Sequence, residues 1–495
     1  MDISLLLKMA ADAEPDRVGL TCDGRDWTYG ELWGAATGAA AQIAASGVEH
    51  VALLDTGSEA AAIALFGAAL AGVPYCPLNY RLADVDLGAL IVRLEPAYVV
   101  GDAARVGTLA TDPRNVILDR ADFLTAALAT QDPDRDAGEG AGIAVQLFTS
   151  GTTAAPKAAI LRHFNLVSYI IGSVEFGAAE EQDSALVSVP PYHIAGISAL
   201  MSSIYAMRRI LLLPAFDPAE WIGLAQAHRV SNAFLVPTML SRIVEELDKT
   251  DGADLSSLRA IAYGGGKMPI ELIGKALDLF PQTAFTNAYG LTETSSTVAL
   301  LGPDEHRAAQ GSADPAIRAR LGSVGKPLPS VEIEIRDEAG HALPAGEAGE
   351  IYVRGDQVSG EYKERSALIA DGWFPTRDAG YLDADGYLFL SGRADDVIVR
   401  GGENMSPGEI EDVLLSHPGV ADAAAVGIAS AEWGEAVGVA IVPKGDIAAS
   451  DDDLKKLIRD RLRSSRVPER IERVEALPYN EMGKLLRREV KKLFS

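Results

Sequence analysis

Short apolar segments alternate with helical runs from about residue 50 onward, and this alternation constrains the fold more than any other feature. Residues 51–55 are typical of a strand, residues 59–70 of a helix, and residues 97–100 of a second strand. Strands that are joined by helices usually form a parallel sheet that helices cover on its faces. Further strands are predicted at 185–189, 210–213, 234–236 and 259–262. The pattern therefore predicts a layered α/β architecture.

Residues 331–354 have a different pattern. Apolar residues at 331, 333 and 335 alternate with polar ones, a turn containing glycine follows, and Ile351 and Val353 alternate again. Alternation with period two on both sides of a turn predicts an antiparallel hairpin with one buried face.

A domain boundary is predicted near residues 392–396, and the chain beyond it has the pattern of a small α+β unit. Ser406 and Glu409 have the spacing of a capping box, with Pro407 at the first helical position. Residues 410, 413 and 414 supply the buried stripe of the predicted helix.

Composition excludes several classes of protein. The 495 residues are 48% hydrophobic and 23% charged, so the chain can bury a large core and is not disordered. The formal net charge of −26 argues against nucleic acid or an anionic membrane as a partner.

Three further sequence features predict a cytoplasmic protein without a membrane span. The N-terminal apolar run is too short for a signal peptide, and the oily stretch 195–214 is interrupted by Arg208 and Arg209. Cys22 and Cys76 form no metal-binding pattern, which favours two reduced thiols.

The stretch LFTSGTTAAPK, residues 147–157, follows a predicted strand at 143–148. Hydroxyl groups, exposed backbone N–H groups and one ammonium suit the binding of an anion. The loop is not a Walker motif, because GxxxxGK[ST] is absent. Its composition alone also fits an ordinary turn.

Four further motifs follow this loop in order along the chain. They are NAYGLTET at 287–294, GWFPTRDAGYLD at 372–383, SGRADDVIVRGGENMSPGEIE at 391–411 and LPYNEMGKLLR at 477–487. Together the five stretches resemble the signature motifs of the adenylate-forming superfamily, which contains acyl-CoA synthetases, aryl-CoA ligases, luciferases and peptide-synthetase adenylation domains. The resemblance spans nearly the whole chain.

The resemblance implies a two-domain α/β protein. Residues 1–393 are expected to form a large N-terminal adenylation domain of layered α/β subdomains with an antiparallel β portion. Residues 394–396 are the expected hinge, with Asp395 at its centre. Residues 397–495 are expected to form a small mobile α+β domain that carries the catalytic lysine.

The implied reaction has two steps. A carboxylic acid and ATP, with Mg²⁺, give acyl-AMP and pyrophosphate, and transfer to CoA then gives acyl-CoA and AMP. Two alternatives remain open: an acyl-AMP ligase that loads a carrier protein, and a catalytically degenerate nucleotide-binding homologue. The oligomeric state also stays open, a homodimer included.

The resemblance assigns the nucleotide site residue by residue. The phosphate loop is Thr149, Ser150, Gly151, Thr152, Thr153 and Lys157. Ala154 and Ala158 stand where glycine is usual, so the loop is either stiffer or has drifted harmlessly.

The second motif supplies the adenine and metal contacts. Tyr289 is expected beside adenine, Thr292 at the α-phosphate and Glu293 at Mg²⁺, which prefers one or two carboxylates together with phosphate oxygens. Further nucleotide contacts are expected from Gly265, Gly266, Asn287 and Ala288. Alone, the motif also fits a strand end with a helix cap.

The remaining motifs complete the expected chemistry. Asp378 and Arg393 resemble the pair that binds the ribose diol, and Arg377 replaces the usual glycine beside them. Lys484 is expected to bridge the reacting carboxylate and the α-phosphate. Gly402 is expected to give phosphopantetheine a close path for thiol attack.

His193 matches the residue that gates the acyl pocket in acyl- and aryl-CoA ligases, although a single histidine at a strand end also fits a structural role. The expected pocket-lining residues are mostly small: His193, Gly264, Gly265, Ala288, Ser296 and Thr297. No aspartate for a substrate amine is evident, so we expect a medium or bulky apolar acid.

Overall fold

The computed structural model describes the chain except for residues 141, 150–155, 250–251, 394–395, 401–402, 431, 446–448, 463, 481–484 and 495. Within the described part, the strands form four sheets, three before residue 394 and one after residue 397. The fold is thus mixed α/β, with a large N-terminal part and a small C-terminal part.

The first sheet is mainly parallel, with antiparallel strands at both edges. From edge to edge its strands are Lys326–Pro327, Ser296–Leu301, Ala284–Leu291, Ala260–Gly264, Asn232–Leu235, Ser184–Val187, Arg209–Leu212, Val18–Cys22 and Arg25–Thr28.

The second sheet has a parallel half and an antiparallel half. Its strands are Arg365–Ser366, Glu361–Tyr362, Lys157–Arg162, Ile143–Thr149, Tyr75–Pro77, His50–Leu54, Ala97–Gly101 and Val116–Leu118.

The third and fourth sheets are smaller. The third is antiparallel throughout and contains Val331–Arg336, Gly349–Gly355, Phe374–Leu382 and Leu388–Arg393. The fourth contains Glu403–Met405, Ile398–Arg400, Gly434–Pro443 and Val420–Ser430, with Arg470–Arg473 parallel to Gly434–Pro443.

Helices cover these sheets. The α-helices are Ser4–Ala13, Tyr29–Ser46, Glu59–Ala71, Asp84–Val92, Ala103–Leu109, Arg120–Ala129, His163–Ser173, Ile194–Tyr205, Pro218–Ala227, Pro237–Leu247, Ile270–Leu279, Pro303–Gly311, Pro315–Ala319, Pro407–Leu415, Asp451–Arg461 and Arg487–Lys492. Short 3₁₀ turns occur at Thr292–Thr294, Arg320–Gly322, Ala370–Gly372 and Ser464–Arg466.

The helix Glu59–Ala71 lies at the centre of the main core. It contacts strands of the first and second sheets and packs along the helix Tyr29–Ser46. Residues 60–70 are all buried, as expected for a helix that is apolar on every side. Small side chains make this packing possible, since a Cβ on Gly67 would lie only 2.8 Å from the Cβ of Ala39.

The alternating pattern of the sequence is confirmed within two residues at each element end. The strand predicted at 51–55 is His50–Leu54, and the helix predicted at 59–70 is Glu59–Ala71. The predicted hairpin is confirmed, because Val331–Arg336 pairs antiparallel with Gly349–Gly355.

The predicted capping box at the helix Pro407–Leu415 is wrong. Ser406 stands at the N-cap, but its side chain caps no backbone N–H. Its hydroxyl instead donates to the carbonyl oxygen of Ser391, and Glu409 accepts from Arg466 Nε at 2.8 Å. Tertiary partners thus displace the local cap, while the predicted stripe at Ile410, Val413 and Leu414 is buried as expected.

One lysine joins the small C-terminal part to the large part. Lys267 Nζ lies 2.7 Å from Asp412 Oδ1 and donates to the carbonyl oxygen of Gly408 at 3.2 Å. Across the described residues, every helix is too short or too polar to cross a bilayer.

Candidate active site

A carboxylate–guanidinium pair lies where the first sheet meets the third. Asp378 and Arg393 are partners in the antiparallel ladder of Phe374–Leu382 and Leu388–Arg393. Arg393 Nη1 donates to Asp378 Oδ1 at 2.9 Å, and the hydroxyl of Tyr289 donates to Asp378 Oδ2 at 2.7 Å. Burial, and next the Asp378 charge, raises the pKa of Tyr289, so the phenol stays a donor. Three predicted nucleotide residues are therefore joined.

The backbone before Asp378 is unusual. Arg377 has φ +63°, in the left-handed region where glycine is favoured, which matches its position in place of the usual glycine. Its N–H donates to Glu350 Oε1 at 3.1 Å, and its Nε lies 3.9 Å from the same oxygen. The extra arginine is thus paired with Glu350.

Glu293 lies in the 3₁₀ turn Thr292–Thr294, directly after the strand that carries Tyr289. Its Oε1 accepts from the hydroxyl of Tyr362 at 2.5 Å. Its carbonyl oxygen accepts from the N–H groups of Ser359 and Gly360 at 2.9 and 3.0 Å. The segment 359–362 therefore fixes both the main chain and the side chain of the predicted metal ligand.

A cavity of about 280 Å³ adjoins Tyr362. Lys157, the first residue of the strand Lys157–Arg162, lines it and holds Nζ 5.6 Å from the ring centre of Tyr362. Thr149 ends the strand Ile143–Thr149 and pairs with Lys157. Tyr362 thus stands between the lysine of the phosphate loop and Glu293. The remaining lining residues are Arg93, Pro156, Glu364 and Arg365.

The glycine turn lies beside the strand that leads to Tyr289. Gly264 pairs with Ala288, and a Cβ on Gly264 would lie 2.3 Å from the Ala288 carbonyl oxygen. Gly265 has φ +79°, and Gly265 and Gly266 are exposed. Bare backbone of this kind lets a flat ligand approach closely.

Two predicted contacts have structural partners. Asn287 is buried, and its Nδ2 donates to the carbonyl oxygen of Ser323 at 3.0 Å. In the strand Ser296–Leu301, Thr297 pairs with Gly290, and its Oγ1 lies 3.4 Å from the hydroxyl of Tyr169.

His193 is the N-cap residue of the helix Ile194–Tyr205, which packs against the strand Ser296–Leu301. The predicted acyl-pocket residues 193 and 296–297 thus belong to neighbouring elements. The ring centre of His193 is 4.5 Å from that of Tyr192. Burial, assisted by the charge of Arg81, lowers the pKa of His193 to about 4, so the imidazole is neutral at pH 7.

Seven predicted residues lie outside the described residues: Ser150, Gly151, Thr152, Thr153, Asp395, Gly402 and Lys484. The flanks of Lys484 are described. Tyr479 forms a β-bridge with Leu485, and Arg487 makes a buried ion pair with Glu411 and lies 3.6 Å from Asp396. The described residues on either side of 481–484 are therefore anchored to the small C-terminal part.

Sequence reasoning missed Tyr362 and Arg93. Tyr362 reaches Glu293 across 69 positions of sequence, and Arg93 reaches Pro156 across 63. Neither residue lies in a recognisable motif, so no local signal marked them.

The model of the AMP-binding enzyme family matches residues 7–363. This chain is an AMP-binding enzyme. A second model, the AMP-binding enzyme C-terminal domain, matches residues 409–484 of the enzyme. The resemblance to the adenylate-forming superfamily is therefore confirmed.

Curated relatives cover nearly the whole AMP-binding enzyme. A 2-succinylbenzoate–CoA ligase of Geobacillus kaustophilus is 32% identical, over 98% of this chain and 97% of the relative. A feruloyl-CoA synthase of Amycolatopsis is 31% identical, over 98% and 97%. A fatty acid–[acyl-carrier-protein] ligase, ScoC, of Streptomyces coeruleorubidus is 31% identical, over 98% and 95%.

Two solved structures have a fold similar to that of this AMP-binding enzyme over nearly the whole chain. The o-succinylbenzoate CoA synthetase of Bacillus subtilis, in complex with its acyl-adenylate intermediate, has a TM-score of 0.83 and 28% identity, over 98% of this chain and 97% of that one. The amide bond synthetase McbA of Marinactinospora thermotolerans has a TM-score of 0.87 and 28% identity, over 100% of both chains.

Proposed function

We propose that this chain is an ATP-dependent acid–CoA ligase. In the first step the carboxylate of an acid attacks the α-phosphorus of ATP, and pyrophosphate leaves with the bond electrons. In the second step the thiol sulfur of CoA attacks the acyl carbon, and AMP leaves. The observation that carries the proposal is the network that joins Arg393, Asp378 and Tyr289.

The chemistry of this network fits a nucleotide. Asp378 can accept two hydrogen bonds from the ribose diol, and Arg393 can donate to the sugar oxygens. Glu293 is one carboxylate beside the phosphate region, which suits Mg²⁺ held mainly by phosphate oxygens and water. Bound there, Mg²⁺ would neutralise phosphate charge.

Two residues outside the described part complete the proposal. Lys484 offsets the repulsion between the substrate carboxylate and the α-phosphate during adenylation. Gly402 leaves room for the thiol of CoA in the second step. We further propose residues 1–393 as the adenylation domain, 394–396 as the hinge around Asp395, and 397–495 as the mobile domain.

The proposed acid is medium-sized or bulky and apolar. Gly265 has no backbone atom close to where a Cβ would stand, so bare backbone faces the proposed acyl pocket there, and the neutral His193 places no charge in its wall. The names of two relatives, 2-succinylbenzoate–CoA ligase and feruloyl-CoA synthase, support an aromatic acid. His193→Ala should change the ratio of kcat/KM for an aromatic and an aliphatic acid more than it changes the KM for ATP.

Carrier-protein loading is the second candidate, because ScoC, a relative that matches 98% of this chain, is named for a carrier-protein acceptor. Cytoplasmic location remains a prediction, which two buried free cysteines support. A homodimer likewise remains open.

The deciding experiment measures AMP and pyrophosphate release over a panel of aromatic and aliphatic acids, with and without CoA. Thioester formed only with CoA, together with stoichiometric AMP, supports the proposal. Acyl-AMP that accumulates with CoA, but is consumed when a carrier protein with a free phosphopantetheine thiol is added and gives the acylated carrier protein and AMP, favours the second candidate. No pyrophosphate release with any acid, despite ATP binding, would favour the degenerate homologue.

A further inference from the structure

Two consecutive serines adopt backbone conformations that favour glycine. Ser295 has φ +56° and Ser296 has φ +113°, directly after the 3₁₀ turn Thr292–Thr294. Both conformations are costly for a residue that has a Cβ. Ser295 is also fully buried, and its hydroxyl has no hydrogen-bond partner among the described residues. Strain of this kind persists where the surrounding structure enforces it, and it is concentrated at functional sites.

The strained pair lies between residues that are predicted to serve two different ligands. Glu293, the predicted metal ligand, lies two positions before Ser295, and Ser296 and Thr297 are predicted to line the acyl pocket. The carbonyl oxygen of Ser296 faces bare backbone, since a Cβ on Gly290 would lie 1.7 Å from it. Residues 294–297, here called the serine turn, therefore set the spacing between the metal carboxylate and the acyl wall.

One buried amide holds both ends of the serine turn. Gln357 is 1% exposed, and its Nε2 donates to the carbonyl oxygens of Thr294 at 3.1 Å and Thr297 at 2.6 Å. These two carbonyls flank the strained pair, so a single nitrogen fixes their separation. The Oε1 atom of Gln357 accepts from the hydroxyl of Ser330 at 3.4 Å, which orients the amide.

The residues that follow Gln357 hold Glu293 itself. The N–H groups of Ser359 and Gly360 donate to the Glu293 carbonyl oxygen, and the Tyr362 hydroxyl donates to its carboxylate. Gln357 and Tyr362 thus act from the two ends of one short segment. The metal carboxylate and the serine turn are fixed by the same stretch of chain.

We propose that Gln357 is a positioning residue for adenylation. It holds the strained serine turn in the shape that keeps Glu293 in place for phosphate-bound Mg²⁺ and keeps Ser296 and Thr297 in the wall of the acyl pocket. The inference rests on the proposed function. Gln357 acts only through Thr294 and Thr297. Without its donors, two buried carbonyls lose a partner and the strained turn relaxes, so the carboxylate and the wall shift together.

The test is calorimetric titration of ATP, with Mg²⁺ and separately with EDTA, into the full-length wild type and Gln357→Met. Methionine has a similar length but no donor. The gain in ATP affinity that Mg²⁺ gives should be roughly 3- to 10-fold smaller in the variant, the range for one lost neutral hydrogen bond. ATP affinity in EDTA should be unchanged, because Asp378 and Arg393 keep their own hydrogen bond.

The KM for the acid gives a second readout. It should rise several-fold in Gln357→Met at a temperature well below the melting transition of both proteins, because Ser296 and Thr297 move with the turn. A variant that melts earlier, but keeps the wild-type gain from Mg²⁺ and the wild-type KM for the acid, would reduce Gln357 to a structural role and overturn the proposal.

Thr283→Val is the matched control. Thr283 is buried immediately before the strand Ala284–Leu291, at the end away from Tyr289, and its Oγ1 donates to the carbonyl oxygen of Leu258 at 2.9 Å. This variant also loses a buried hydrogen bond to a backbone carbonyl. Its melting temperature should fall, while its gain in ATP affinity from Mg²⁺ should equal that of the wild type. Equal losses of that gain in Thr283→Val and Gln357→Met would show general destabilisation and overturn the positioning role.

Ser295→Gly, combined with Gln357→Met, tests the part that strain plays. Glycine adopts φ +56° freely, and the change removes the unpartnered hydroxyl, so the turn needs less support. The double variant should recover part of the gain from Mg²⁺ that Gln357→Met loses. An absence of recovery would contradict the claim that Gln357 acts by opposing strain.

The two levels of inference fail differently. Wild type that binds no ATP, or that releases no pyrophosphate with any acid, would contradict the proposed function. Wild type that binds ATP without a gain from Mg²⁺, or with the same gain in Gln357→Met, would overturn only the positioning role.

Discussion

Arg393 Nη1 lies 2.9 Å from Asp378 Oδ1, and the two residues face each other across an antiparallel ladder. The sheet thus fixes the guanidinium and the carboxylate independently of any ligand. Tyr289 lies in the neighbouring sheet, and its hydroxyl donates to the second carboxylate oxygen of Asp378. The proposed ribose site is therefore preformed, and binding of a ribose there would need little further ordering.

Arg393→Ala should weaken ATP binding by about 1.5–3 kcal/mol, because a charged hydrogen-bond donor is lost and Asp378 loses its cation. Calorimetric titration of ATP measures the change. Arg354→Ala is the control, since Arg354 pairs with Glu332 on the exposed part of the same sheet. Unchanged ATP affinity in Arg393→Ala would remove this residue from the nucleotide site.

His193 should make stability depend on pH. Its pKa in the folded state is about 4, below the value near 6.5 of an unfolded chain, so the unfolded state takes up the proton first as pH falls. Folded stability should therefore decline between about pH 6.5 and 4, by an amount on the order of 2–3 kcal/mol.

Denaturant unfolding at pH 7.5 and 4.5 of the wild type and His193→Asn isolates this effect. The variant should lose less stability over the interval, although other buried histidines contribute equally to both proteins. An identical loss of stability in the two proteins would show that the pKa of His193 is the same in the folded and unfolded states.

Ala158→Gly should destabilise the protein without speeding adenylation. Ala158 is fully buried in the strand Lys157–Arg162 and pairs with Phe148, so its methyl group has a place in the fold. Glycine in a strand costs about 0.5–1 kcal/mol, and a lost buried methyl adds about 0.8 kcal/mol. Denaturant unfolding beside the exposed-turn control Ala339→Gly measures the difference. A faster pre-steady-state adenylation rate in Ala158→Gly would instead support a stiffened loop.

The elements of the parallel layers could be predicted from sequence, because buried strands and helices leave apolar runs of distinct length and period. The strand order could not, since His50–Leu54 lies between Tyr75–Pro77 and Ala97–Gly101 only through long-range pairing. The capping box at Ser406 failed for a related reason: Ser391 and Arg466, distant in sequence, compete for the same side chains.

The candidate-site residues that lie within recognisable motifs could be predicted from the sequence. Asp378 and Arg393 lie 15 positions apart, and the structure joins them as expected. Tyr362 and Arg93 act through partners more than 60 positions away, so only the fold reveals them. Asn287 stays a predicted nucleotide residue, and the structure adds a partner that its sequence position did not indicate, the buried carbonyl oxygen of Ser323.

The most direct test of the two-step ligase compares the half-reactions in Lys484→Ala and Gly402→Leu, with melting curves to show that both variants fold. Lys484→Ala should lose acid-dependent ATP–pyrophosphate exchange by a factor on the order of 10²–10³, as for one lost transition-state donor, yet still convert preformed acyl-AMP and CoA to thioester. Gly402→Leu should retain exchange and transfer slowly to CoA, because a side chain obstructs the thiol. Equal loss of both half-reactions in two folded variants would contradict the assignment of separate residues to the two steps.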